Sequence, residues 1–294
     1  RMEAALLLAW YPWLCVSSLL WPPPARAFRW PGMSGAATHA ISIAPAGFNM
    51  AYTAGAAYEV RRRCDGGVVH VGMSTGSVVA CCLCVGISAE RLVQVLTTFA
   101  SAYSSRERLE LVGRLGRLLE RELPHDAHLR CRGRLAIGVT RVRPRAYARL
   151  ALLVALALAL LPPSRQRRRR RLGWVLLAVA HWASASAAAE VVTSFPTRAS
   201  LIEALLASCS IPLVQDHTRL RRDAASYLVD GGFAHSLLRV QGLPTTTIDW
   251  RTTRGDVHPD APLAPRVVTA PSPEEVERLF ARGVADAARA ARHD

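Results

Sequence analysis

An α/β fold built around a largely parallel central sheet is predicted by three features of this sequence. Short apolar segments rich in β-branched residues alternate with longer helical patterns along most of the chain. A Gly-x-Ser-x-Gly turn, Gly72-Met73-Ser74-Thr75-Gly76, lies between one such strand and an apolar helix. Of the 294 residues, 51% are apolar, which suits one large domain with a sizeable core and excludes a disordered chain.

The folded part is expected to begin near Ala37, with 38–44 as a short buried strand. A Pro/Gly loop leads to a helix over about 48–60, and Arg61 to Gly67 form a charged turn. Within that turn Asp65-Gly66-Gly67 is a plain connector. Residues 68–71 make a second strand that runs directly into the Ser74 motif. The stretch 77–85 is apolar on all sides, as in a helix at the centre of a domain, and Gly86 can stop it. Two amphipathic helices are expected over about 88–102 and 105–121, the second opened by Ser104-x-x-Glu107 as a capping box. Strands are expected at 133–142, 191–195, 226–229 and 245–248, with a helix at 200–208. Ser272-Pro273-Glu274-Glu275 caps a final helix that turns Val276, Leu279, Phe280 and Val284 inward.

Two regions stand apart from this pattern. Residues 4–20 are apolar and are followed by Pro22–Pro24 and the small-x-small run Ala25-Arg26-Ala27, so residues 1–30 read as a secretory or organellar leader or a membrane anchor. The other reading of that region is a poorly conserved or misassigned 5′ extension. The domain, 37–291, is interrupted by 143–189, where two apolar blocks flank an arginine run (Arg165, Arg167 to Arg171). A membrane hairpin, an interfacial segment on acidic lipid and a low-complexity insertion all fit that layout. The insertion is favoured because alanine-rich blocks are marginal as spans.

The net charge of +15 comes from arginine alone, with no lysine in the chain. By itself it points to anionic partners. Its concentration in one run, and the absence of lysine beside abundant alanine, point instead to compositional bias, and no nucleic acid is expected. The seven cysteines show no zinc or redox spacing. Cys81, Cys82 and Cys84 lie in the apolar helix and read as core residues.

A serine on a strand-to-helix turn projects its Oγ out of the backbone, and Gly72 and Gly76 leave room for the turn to pack. The helix that starts after Ser74 aims its positive end at the site. Only one βα unit precedes this elbow, and the later histidines (His125, His128, His181, His217, His235, His258, His293) show no partner pattern of the α/β-hydrolase kind. A second element is Asp230-Gly231-Gly232 after the apolar strand Tyr227-Leu228-Val229. A carboxylate at a strand end can take the serine proton directly. A simple turn is the other reading of those three residues.

Taken together, the first strand and its glycine loop (Ser42 to Phe48, with Tyr52 and Gly55), the Ser74 elbow, the strand at 133–141, the segment Leu201 to Pro212 and Asp230-Gly231-Gly232 resemble the patatin-like phospholipase family. The likeness is nearest to the branch with adipose triglyceride lipase, and it covers roughly 38–142 and 190–285. It implies a three-layer α/β/α fold and a serine lipid acyl hydrolase, phospholipase A or acylglycerol lipase, working at a membrane or lipid-droplet surface without a cofactor. Ser74 would attack an acyl ester of a glycerolipid and Asp230 would act as base. The family loop resembles Gly-x-Gly-x-x-Gly, and its places are held here by Pro45, Gly47 and Met50. Pro45 has no N–H, and Met50 stands where a glycine-only conformation is expected. Ala46 and Gly47 then remain as oxyanion donors, with Thr75, Gly231 and Gly232 completing the motif residues. Ser236 and Leu238 stand where relatives tend to have Asn and Pro. Loss of one oxyanion donor costs about 10²–10³ in rate. Two alternatives therefore stay open: a catalytically impaired patatin-like protein that binds lipid or regulates, and a histidine-dependent α/β-hydrolase esterase.

Overall fold

The computed structural model describes residues 26–101, 111–143, 187–210, 221–223, 226–251, 255–264, 266 and 270–292. Both the apolar stretch 4–20 and nearly all of the 143–189 segment lie outside these residues, as does the Ser104 capping box. Among the described residues no helix is long and apolar enough to cross a membrane.

The fold is a mixed α/β one with a central, mostly parallel sheet and seven α-helices among the described residues. In chain order these are β1 (Arg26–Phe28), β2 (Ala37–Ile43), α1 (Met50–Arg63), β3 (Gly67–Met73), α2 (Thr75–Val85), α3 (Ala89–Ser101), α4 (Leu111–Glu122) and α5 (Ala127–Cys131). Next come β4 (Leu135–Val142), β5 (Ala187–Val192), α6 (Arg198–Ser208), β6 (Arg221–Asp223), β7 (Ser226–Val229), β8 (Leu238–Val240), β9 (Thr245–Ile248) and α7 (Pro273–Ala290).

Strands β9, β2, β3 and β4 lie side by side and parallel. Their side chains alternate between two clusters, as a period of two requires. Ile41, Ile43, Val68, Leu135, Ile137 and Val139 face the helices, all seven of which contribute to that cluster. Ala40, Val69, Val71, Met73 and Ala136 face the other way, onto Trp30, Leu238 and Val240. That second face is covered in the described residues by the parallel pair β1–β8. The fold therefore starts earlier than the expected Ala37: Arg26 and Ala27 of the small-x-small run are strand residues, and Trp30 is buried.

Local chemistry explains the element ends. Gly86 closes α2 in the left-handed conformation (φ 82°) and returns its N–H to Cys82 and Leu83. Ser272 accepts from the Glu275 amide with Pro273 in the first turn, as the sequence predicts. Helix α6 opens on an unforeseen capping box, Thr197 with Ser200. Helices α1 and α7 pack backbone to backbone: a Cβ on Gly283 would lie 2.1 Å from the Tyr52 carbonyl, and one on Gly55 would lie 2.0 Å from that of Phe280.

The register of β4 positions the site. Ile137 and Gly138 pair with both β3 and β5, so those strands occupy opposite edges of β4. Residues 140–142 pair with both β5 and β7, so β7 shares the β3 edge. Strand β3 leaves that edge after Met73, opposite Gly138, and β7 fills the vacated length, running antiparallel to β4 until Val229, opposite Thr140. The next residues, Ser74 and Asp230, approach each other head to head at the level of Val139. Asp230 thus ends an antiparallel strand of the mostly parallel sheet.

Candidate active site

Ser74 has φ 52° and ψ −136° and is the one non-glycine residue with positive φ among the described residues. Such a conformation costs about 1–3 kcal/mol and persists only where the surroundings over-determine it. Here they do. A Cβ on Gly72 would sit 2.4 Å from the Gly76 carbonyl oxygen, and one on Gly76 would sit 2.5 Å from the Ala44 oxygen. The Ser74 amide donates to Ser208 Oγ (2.8 Å), and that hydroxyl donates to the Gly138 carbonyl (2.7 Å). Ser77 Oγ donates to the Ser74 carbonyl at 2.6 Å. Ser208, on α6 and 134 residues beyond Ser74, therefore ties the elbow to β4. Ser208→Ala leaves a buried N–H and a buried carbonyl without their shared partner. The expected cost is about 1–3 kcal/mol of stability, read by denaturant unfolding, with slower reaction at Ser74.

Asp230 is held on every side. Its Oδ2 accepts from Ser74 Oγ at 2.7 Å, and its Oδ1 accepts from the Gly232 amide at 2.7 Å. Its own N–H donates to the Ser210 carbonyl (2.8 Å), and its carbonyl accepts from Thr140 Oγ1 (2.8 Å). Thr140 Oγ1 also accepts from the Ala234 amide at 3.1 Å. Gly231 permits this fold-back, since a Cβ there would lie 2.1 Å from the Gly138 oxygen. Burial raises the carboxyl from 3.8 to about 6, against the opposing pull of the Ser74 and Gly232 hydrogen bonds.

The glycine-loop residues surround this pair. Pro45 lays its ring 3.2 Å from where a Gly232 Cβ would be, and its carbonyl accepts from the Trp250 indole N–H at 2.8 Å. Gly47 has φ 53°, a conformation that favours glycine, and its carbonyl accepts from Thr75 Oγ1 at 3.1 Å. Among the described residues neither the Ala46 nor the Gly47 amide donates to a protein acceptor. The expectation for Met50 is corrected. Its φ of −58° and ψ of −23° are right-handed helical, and it is the first residue of α1, so no glycine-only conformation is needed there.

The structure thus brings Ser74, Asp230 and their flanking glycines together with the 45–47 loop. It adds Ser208, Thr140 and Trp250, which the sequence did not single out. Ser208 and Thr140 act through hydroxyls whose partners are remote in sequence, so no local pattern marks them. Among the described residues no histidine hydrogen-bonds Ser74 or Asp230. The nearest in sequence to Asp230, His235, has its Nε2 between the Val139 and Glu190 carbonyls at 3.2 and 3.1 Å. His70 is fully buried, and its basicity is pushed down to about 3 by burial. Cys81, Cys82 and Cys84 are buried core residues, and burial pushes the Cys82 thiol up to about 12.

Compared with curated proteins one by one, the chain matches none. Compared with protein families, it matches Patatin-like phospholipase over residues 41–238, a span running from β2 through the elbow and Asp230-Gly231-Gly232 to the start of β8. That covers well over half of the chain, and the chain belongs to the patatin-like phospholipase family, a family of lipid acyl hydrolases.

Proposed function

We propose that this protein hydrolyses fatty acyl esters of glycerolipids, as a phospholipase A or acylglycerol lipase, with Ser74 as nucleophile and Asp230 as its base. The observation that carries the reading is the 2.7 Å bond from Ser74 Oγ, on a strained elbow, to a buried carboxylate that has no histidine between it and the serine. In this reading the Asp230 carboxylate accepts the hydroxyl proton while Oγ attacks the ester carbonyl. The tetrahedral oxyanion is stabilised by the Ala46 and Gly47 amides and the N-terminal dipole of α2. Collapse expels the alcohol, which takes the proton back from Asp230, and leaves an acyl group on Ser74. Water, deprotonated by Asp230, then releases the fatty acid and restores the serine. The right-handed helical Met50 and the open Ala46 and Gly47 amides favour this over an inert relative. A membrane or lipid-droplet surface supplies the substrate.

A fluorophosphonate probe is expected to label the protein at Ser74, with Ser74→Ala unlabelled and without esterase or lipase activity. Equal labelling or turnover in Ser74→Ala would exclude the assignment.

The base must be ionised to act, and its carboxyl titrates near pH 6. The kcat/KM for an uncharged ester is therefore expected to be flat above about pH 7 and to fall tenfold per pH unit below about 5. An acid limb near 4 would show that the carboxylate is solvated in the free enzyme, and one near 7 with imidazole behaviour would point to a histidine.

A further inference from the structure

We propose that Trp250 is a positioning residue for the oxyanion side of the site, its indole N–H turning the Ala46 N–H toward Ser74. The proposal rests on the assignment of Ser74 as nucleophile.

Strand β2 has β3 on one edge and β9 on the other, because Ile43 is in register with both Gly72 and Ile248. The Ala44 amide extends the β9 pairing by donating to the Ile248 carbonyl at 2.9 Å. The two edges then diverge in role. Beyond β3 comes Ser74, and beyond β9 comes Trp250, so the 45–47 loop runs between the nucleophile and the indole. Trp250 Nε1 donates to the Pro45 carbonyl at 2.8 Å, drawing that oxygen toward the β9 side. In a trans peptide the carbonyl and the following N–H point in opposite directions. The Ala46 N–H is therefore directed toward the β3 side, where the elbow stands. It has no protein acceptor there among the described residues. Proline at 45 contributes no N–H of its own, which leaves the orientation of the next amide with more to do.

Trp250 is itself held. It is buried, and the Arg251 guanidinium lies 6.0 Å from its ring centroid. Arg251 reaches Asp249 through two nitrogens, at 2.8 and 2.7 Å, and the Asp249 side chain also accepts the Arg251 backbone N–H at 3.1 Å. Asp249 is fully buried, and its amide donates to the Val257 carbonyl at 3.0 Å. The indole is thus buried beside a fixed Arg251–Asp249 pair with its N–H committed to the Pro45 carbonyl.

Two changes at this position separate the hydrogen bond from the packing. Trp250→Phe keeps an aromatic body and loses the donor. Site-specific benzothienylalanine keeps the shape of the indole and replaces its N–H by sulfur. With a p-nitrophenyl acyl ester, both are expected to lower kcat by about tenfold or more, less than outright deletion of an oxyanion donor. The KM is expected to stay within about twofold and the acid limb to stay where it is, since neither binding nor Asp230 is touched. Phosphonylation of Ser74 slows in step. Unchanged kcat with benzothienylalanine, or a change confined to KM, overturns the proposal, and loss of turnover in Ser74→Ala then leaves the dyad standing. An inert native protein, or turnover that survives Ser74→Ala, overturns both.

Discussion

Asp230→Asn is expected to remove ester hydrolysis and, at pH 8, to make the fold more stable. Loss of a general base in a transition state costs about 10²–10⁴ in rate, and in the proposed mechanism the same group serves acylation and deacylation, so the upper end is expected. The gain in stability comes from the carboxyl's position. Burial raises it from 3.8 to about 6, so the folded chain holds this proton to higher pH than the unfolded chain does. Stability then falls as pH rises through that window, because the unfolded state binds fewer protons. Below about pH 4 both states are protonated and Asp230 costs nothing. Above about pH 6 the penalty is complete, at about 3 kcal/mol. An amide stays neutral throughout and still offers an oxygen to the Gly232 N–H. The variant's advantage in urea unfolding should therefore be largest at pH 8 and vanish by pH 4. A variant that is less stable than the native chain at pH 8 would mean that the Ser74 and Gly232 bonds to the ionised form outweigh its burial.

Gly72→Ala is expected to be strongly destabilising and to disrupt the elbow itself. The new carbon would lie 2.4 Å from the Gly76 oxygen and 2.5 Å from Ser77 Cα. Both are backbone atoms in the first turn of α2, so relief requires moving the helix whose start holds Ser74. Overpacking of this kind costs about 3 kcal/mol or more, well beyond the gain of about 0.4–1 kcal/mol from a stiffer unfolded chain. Labelling at Ser74 should be lost with it. Gly35→Ala is the control: nothing lies within 4 Å of its Cβ position and its φ is not positive, so stability should hold or rise slightly. Equal unfolding midpoints for the two variants would show that the elbow yields more easily than its contacts imply.

Much of the fold is legible in the chain because the signals are local. The run from Val68 to Val71, the all-apolar stretch from Ser77 to Val85 and the Ser272 cap each declare an element through spacing or turn chemistry within a few residues. Ser74 is legible for the same reason: the elbow needs Gly72 and Gly76 beside it, and all three lie within one pentapeptide. The errors have the same origin. Met50 reads as a glycine substitute when only the motif is considered, yet it begins α1, and the helical residues after it dictate its backbone. Short elements such as β1, β8 and α5 carry too few residues to show a period, and they form because neighbouring surfaces cover them.

By itself the sequence determined the α/β class, the glycine-flanked turn of Ser74 and the presence of a carboxylate after an apolar strand. Only the tertiary structure decided that the two residues meet. Ser74 and Asp230 are separated by 156 residues, and their bond depends on β3 leaving one edge of β4 and β7 entering it from the opposite direction. Strand direction is a property of pairing partners, which periodicity along one segment cannot encode. The same holds for Trp250, whose indole reaches Pro45 across 205 residues because β9 pairs beside β2.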